Sequence, residues 1–245
     1  MQTKLKKKLL ALATAPYRDT GFYNYHWARN KLSHDPIFTA LIEQSVFPDN
    51  ARVLDLGCGR GLLAAWLLAA EQLAAQGKWT GDVYPPKNLH YRGVELMTRE
   101  ADCGSRALPP IYGKRVQLNT GDMRVADLSN TDVFVILDVL HYIPIAEQDL
   151  LLDRIRAALD MGGMFVTRVG DAGNGMRFAI SQVVDFFVSF AQGHRLGRMW
   201  CRPLADWISA LEARGFAVLA IPMSVGTPFA NVMLVARVAR NPSSR

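Results

Sequence analysis

From residue 51 onward, short apolar runs alternate with longer helical segments, the signature of a doubly wound parallel sheet. The first run, Arg52 to Leu56, enters a glycine-rich turn, and a helix follows from Gly61 to about Ala75. Gln76 to Leu89 is polar, with Gly and Pro, and reads as a loop. A second strand is predicted over His90 to Val94, ending at Glu95, then a helix from Thr98 to Leu108 that Pro109-Pro110 breaks. A third strand is predicted from Arg115 to Asn119. The fourth, Asp132 to Leu137, is nearly all β-branched or aromatic, as burial on both faces demands. A helix from Ile145 to Leu159 and a turn at Met161-Gly162-Gly163 lead to a fifth strand, Met164 to Val169. Asp171 to Gly175 reads as a loop, Met176 to Ala191 as a strongly apolar helix, and Pro203 to Ala213 as a helix closed by Arg214-Gly215. Ala217 to Ile221 and Asn231 to Ala239 complete seven strands.

Residues 1–50 precede this alternation. Lys4 to Ala13 reads as a short amphipathic helix, and Pro36 sits in the first turn of a helix from Ile37 to Gln44. Pro48-Asp49-Asn50 turns the chain into the first strand. Between them, Tyr17, Phe22, Tyr23, Tyr25 and Trp27 make an aromatic cluster with no clear period. The expected organisation is therefore a helical N-terminal cap over 1–50, a main domain over 51–240 with a helical insertion at about 171–202, and a frayed tail over 241–245.

Composition narrows the picture a little. With 245 residues, half of them hydrophobic, the chain can bury a sizeable core in one large α/β domain. The net charge of +6 is partly concentrated in Lys4, Lys6, Lys7 and Lys8. That basicity permits an acidic partner, such as nucleic acid, an anionic lipid surface or an acidic carrier protein, and requires none. Cys58, Cys103 and Cys201 have no metal-type spacing and are odd in number, which fits a reducing cytoplasm and no metal. Lys6-Lys7-Lys8 with Leu9 to Ala15 imitates a short signal peptide, but the apolar run is minimal and Pro16 follows it, so secretion is not expected. No apolar run reaches the roughly 18 residues that span a bilayer.

The candidate chemistry centres on Val53-Leu54-Asp55-Leu56-Gly57-Cys58-Gly59-Arg60-Gly61. A strand runs into a glycine turn and the turn into a helix, whose N-terminus offers unpaired N–H groups to an electron-rich ligand. A dinucleotide site has G-x-G-x-x-G and a phosphate loop has G-x-x-x-x-G-K-[S/T]; neither is present. The spacing here is D-x-G-x-G-x-G, at Asp55, Gly57, Gly59 and Gly61. It resembles the first motif of the class I S-adenosylmethionine (SAM)-dependent methyltransferases. That resemblance implies a Rossmann-like, mostly parallel seven-stranded sheet with a final antiparallel strand, SAM as methyl donor and S-adenosylhomocysteine (SAH) as product. The chain is also similar, more loosely, to stand-alone bacterial methyltransferases of fatty-acid-like and aryl-polyene pathways, whose substrates ride on acidic carrier proteins.

Ligands of doubly wound sheets bind at the carboxyl ends of the strands. Acids recur there in register: Asp55, Glu95, Asp122 and Asp138, after strands one to four. Turn capping is the alternative role for Asp122, Asp138 and Glu95. The resemblance assigns Glu95 to the ribose hydroxyls and Asp122, with the Met123 N–H, to the adenine. It places Leu96 and Met97 against the adenine faces, Asp138 near the methionine end, Asp55 near that same end through water or by orienting the loop, and Cys58 in the turn itself. It also makes the N-terminal segment a possible substrate lid, in which Tyr23, Tyr25, His26 and Trp27 touch the acceptor; packing onto the main domain is the other account of these rings.

Methyl transfer is an in-line displacement that depends on positioning, and a weakly acidic oxygen or carbon nucleophile also needs a base. His141, just past strand four, is the best-placed candidate, with a purely structural role as the alternative; Tyr142, His26, His194 and Arg168 are secondary candidates. Asn-Pro-Pro-Tyr and paired catalytic cysteines, marks of some nucleic-acid methyltransferases, are absent. The reading that follows is O- or C-methylation of a small or carrier-bound apolar or aryl acceptor in the cytoplasm. Its competitors are a non-catalytic SAM-binding module and a nucleic-acid methyltransferase.

Overall fold

The computed structural model describes residues 1–170, 199–223 and 231–239. The predicted 171–175 loop, the apolar helix 176–191, His194 and the 241–245 tail lie outside them. Two compact units divide the chain, Met1–Val133 and Phe134–Arg245.

The first unit opens with helices. α1 (Thr3–Thr14) buries Leu5, Leu9, Leu10 and Ala13, one stripe at helical spacing, and exposes Lys4, Lys7 and Lys8. A 3₁₀ turn, Ala15–Thr20, leads to α2 (Phe22–His34) and then α3 (Ile37–Glu43). The helix α2 is the element the sequence reading left undefined. Only Ala28 and Leu32 are buried in it, one pair at i, i+4, which is too little apolar signal to register as a period.

β1 (Arg52–Leu56) leads into α4 (Leu62–Ala75), and β2 (His90–Glu95) into α5 (Thr98–Ala107). Every residue from Leu62 to Ala70 is buried. A helix apolar all round must be covered all round, and α1, α2 and α3 all pack on α4. Trp66 is fully buried there, its ring centroid 6.3 Å from that of Phe38. Pro109-Pro110 does stop α5, but the chain then makes a further helical turn, α6 (Pro109–Tyr112), because proline needs no N–H donor in a first turn. β3 (Val116–Thr120) follows, and β1, β2 and β3 pair in parallel.

The boundary between the units falls within β4 (Val133–Leu137), and the second unit continues with α7 (Ile145–Ala158), β5 (Met164–Gly170), α8 (Leu204–Glu212), β6 (Phe216–Pro222) and β7 (Asn231–Val238). β7 runs antiparallel to both β5 and β6 and lies between them, so the last two strands form the expected hairpin-like pair at one edge. The sheet order is β3-β2-β1-β4-β5-β7-β6, a mostly parallel seven-stranded sheet. Among the described residues no helix is long and apolar enough to cross a membrane.

Candidate functional site

The glycine turn lies at the carboxyl end of β1. Gly57, Gly59 and Gly61 have φ of +84°, +54° and +72°, the left-handed region that glycine enters without strain. A Cβ at Gly59 would meet nothing within 4 Å, so the backbone there borders open space. A Cβ at Gly61 would stand 2.7 Å from Leu118 Cδ1. The two positions thus serve different ends: Gly61 admits tight packing, and Gly59 leaves room for a ligand.

The parallel register carries the acids of the first unit to one end of the sheet. Leu56 pairs with Val94 and Glu95 with Thr120; the Gly57 N–H donates to the Val94 carbonyl at 2.7 Å, and the Gly121 N–H to the Glu95 carbonyl at 2.9 Å. Glu95 is half-buried beside the turn. Its Oε2 accepts from the Gly59 N–H at 2.8 Å and its Oε1 from the Met97 N–H at 2.9 Å. Leu96, next in the chain, is 69% exposed, an apolar side chain on an otherwise polar rim.

Asp55 is of another kind. It is 3% exposed and accepts a hydrogen bond from the Tyr91 hydroxyl. Burial raises its carboxyl to about 7, against the lowering effect of Tyr91 and with a further push from Glu95. Cys58 is buried against Gly93, where any Cβ would come 2.6 Å from its Sγ, and burial lifts its thiol well above the usual value, so it packs as an unreactive group. Asp122 follows β3 and is held by Arg124, whose Nη2 lies 2.6 Å from Oδ2; that guanidinium holds its carboxyl pKa below the ordinary carboxylate value. Met123 lies between these two residues.

The second unit holds the remaining candidates. Asp138, just past β4, has φ +60° and forms a two-pronged ion pair with Arg168, whose Nε donates to Oδ1 at 2.7 Å. His141 lies in a 3₁₀ turn, Leu140–Tyr142, and its ring meets that of Tyr142 at 4.2 Å between centroids. Burial lowers the imidazole's pKa, partly offset by Asp138, and its buried Nε2 has no hydrogen-bond partner among the described residues. Tyr142 is 46% exposed. The turn is pinned by a buried amide that the sequence reading overlooked. Gln148 Nε2 donates to the carbonyls of Leu140 and Ile143, both at 3.0 Å, and of Trp200 at 2.8 Å, while its Oε1 accepts from Arg202 Nε at 2.9 Å.

The N-terminal aromatics also find partners within the first unit. Tyr25 lies over Arg18 and against His26, and His26 against Phe22. Tyr23 and Trp27 face Arg60, in the middle of the glycine turn, with the guanidinium carbon 5.4 and 4.3 Å from their ring centroids. Arg60 was not among the predicted site residues. Its contacts lie about 35 to 40 residues away in either direction, beyond the reach of motif spacing. Among the described residues no group of three or more His, Cys, Asp or Glu could hold a metal ion.

No family model matches the sequence, and no curated protein does. Solved structures do resemble it. The structure of magnesium protoporphyrin IX methyltransferase from Synechocystis PCC 6803 with bound SAH has a TM-score of 0.58 and 15% identity, over 97% of this chain and 99% of that one. An O-methyltransferase family protein from Burkholderia thailandensis has a TM-score of 0.59 and 18% identity, over 87% and 57% of the two chains. Geranyl diphosphate C-methyltransferase from Streptomyces coelicolor A3(2), in complex with Mg2+, geranyl diphosphate and SAH, has a TM-score of 0.55 and 14% identity, over 83% and 77%. At these identities the likeness is one of fold.

Proposed function

We propose that this chain, which has the class I methyltransferase fold, is an enzyme that transfers a methyl group from SAM to a small or carrier-bound apolar acceptor, at oxygen or carbon. The observation that carries the reading is Glu95. Its carboxylate sits at the carboxyl end of β2, against the N–H of Gly59, a turn glycine that borders open space. A carboxylate placed so suits a vicinal diol, because it accepts from both hydroxyls, and exposed Leu96 beside it suits a purine face. SAM, when bound, supplies a methyl carbon made electrophilic by its sulfonium.

The residues of this chain would divide the work. Gly57, Cys58, Gly59 and Gly61 shape the turn, Glu95 takes the ribose, and Leu96 and Met97 flank the adenine. Asp122 and the Met123 N–H take the adenine edge. Asp122 must then share its carboxylate with Arg124. Asp138 orients Arg168 as much as it faces a ligand. His141 is the proton acceptor: burial lowers its pKa and so favours the neutral imidazole that a base needs. Tyr142 flanks it. Tyr23, Tyr25, His26 and Trp27 belong to a cap over 1–50, set on a main domain over 51–240.

A carrier-bound acceptor fits the charge distribution. Residues 1–34 hold Lys4, Lys6, Lys7, Lys8, Arg18, Arg29 and Lys31 against Asp19 alone, seven positive and one negative, which equals the +6 of the whole chain. An acidic carrier would meet that segment rather than the neutral remainder. A cytoplasmic setting supplies SAM. The test is methyl transfer from SAM labelled at the methyl to an extract of apolar metabolites, free and carrier-bound. Label in a product with wild type and none with Glu95→Ala is the expected result. Tight SAH binding with no product from any acceptor would replace this reading with a non-catalytic SAM-binding module.

A further inference from the structure

We propose that Arg60 is a latch through which residues 17–27 hold the glycine turn in its ligand-ready shape, so that SAM affinity depends on an N-terminal segment that need not touch SAM. The inference rests on reading the turn as the SAM site. It starts from a physical problem. A five-residue turn with three glycines at positive φ loses more backbone freedom on ordering than the same turn would with other residues at those positions. Something must restrain it if the ligand is not to bear that cost.

Only Cys58 and Arg60 offer side chains for the purpose. Arg60 is 4% exposed although it lies between two glycines at the ligand end of a strand. Its Nε and Nη2 donate to Glu100 Oε2 at 2.5 Å and Oε1 at 3.0 Å. The fork fixes the guanidinium plane, and the rings of Trp27 and Tyr23 lie against it at 4.3 and 5.4 Å. Its carbonyl accepts from the hydroxyl of Tyr17, a fully buried ring, at 2.8 Å. Gly104 makes the approach possible, since a Cβ there would stand 2.6 Å from that carbonyl. The turn is thus held from its main chain by Tyr17 and from its side chain by Glu100, Trp27 and Tyr23. Arg60 is a positioning residue: it acts through the N–H of Gly59 and the open backbone beside it.

The experiment is a calorimetric titration of SAH into wild type, Trp27→Leu, Trp27→Phe, Glu100→Gln and the Trp27→Leu/Glu100→Gln pair. Each of Trp27→Leu and Glu100→Gln is expected to weaken SAH about tenfold, and the pair by about the same rather than a hundredfold, because both act through one side chain. Trp27→Phe, which keeps a ring over the guanidinium, is expected to stay within about twofold of wild type. A folded Trp27→Leu with wild-type SAH affinity overturns the latch. Amide hydrogen exchange at Gly57 to Leu63 of the ligand-free protein gives a second reading. Faster exchange in Trp27→Leu supports the latch, and unchanged exchange contradicts it. If wild type itself fails to bind SAH, the SAM reading falls, and the exchange rates alone decide whether the segment restrains the turn.

Discussion

Asp55 and Glu95 are both strand-end carboxylates, yet the structure gives them opposite surroundings. Glu95 is served by two backbone N–H groups, whereas Asp55 is buried with one hydroxyl. The consequence for Asp55 is a stability effect with a definite sign. Its folded-state pKa of about 7 lies above the ordinary 3.8, so between these values the folded protein holds a proton that the unfolded chain has released. Stability from this group is therefore lost as pH rises from about 4 to 7. Asp55→Asn, which has no proton to lose, is expected to flatten that part of the curve and to be relatively more stable at pH 8. Urea midpoints from pH 4.5 to 8 check it; an unaltered slope in Asp55→Asn contradicts it. His141 has the opposite sign. Burial lowers its pKa, so a rate limited by the neutral imidazole is expected to rise with pH over a range below that of an ordinary histidine. His141→Ala should lower kcat by about 10²- to 10⁴-fold with little change in SAH affinity. At this scale the glycine turn and the strand-end positions of the acids were legible, because a strand–turn–helix motif occupies a few contiguous positions and the other acids close strands of readable period. Arg60–Glu100 and Asp138–Arg168 were not, because spacing says nothing about which charges meet across 30 or 40 residues.

Among the elements, the strands and the apolar helices were readable from their periods and ends. β1, β4 and α4 appear within one or two residues of expectation. Two helical pieces were not. α2 has too few buried positions to show a period, and α6 begins on the prolines that mark a break. Both are made by context, α2 by the turn and helices it packs on and α6 by the end of α5. The readable stripe of α1 carries an energetic prediction. Leu9 is fully buried where α1 packs on α4. Leu9→Ala is expected to destabilise the protein by about 2–5 kcal/mol, the cost of a lost side chain plus a residual cavity. Chemical denaturation measures it, and a change below about 1 kcal/mol would mean that α1 contributes little to the core. Lys7→Ala on the exposed side of the same helix should be within about 0.5 kcal/mol of wild type.

For the whole molecule, the mostly parallel seven-stranded sheet with its last two strands paired at one edge is what the alternation and the family resemblance implied; the antiparallel placement of β7 came from the resemblance, since period alone carries no direction, and the strand order came from the structure. The acceptor is less legible than the donor for a physical reason. A donor with fixed chemistry demands fixed groups at fixed strand ends, whereas an apolar acceptor asks only for shape. The central claim is that the carboxylate at the end of β2 and the glycine turn beside it form a SAM site. It is tested most directly by titrating SAH into wild type and Glu95→Ala in a calorimeter. Saturable one-to-one binding is predicted for wild type, weakened about 10- to 100-fold in Glu95→Ala by loss of a charged hydrogen-bonding group. No binding in wild type, or equal affinity in the two proteins, would contradict the claim.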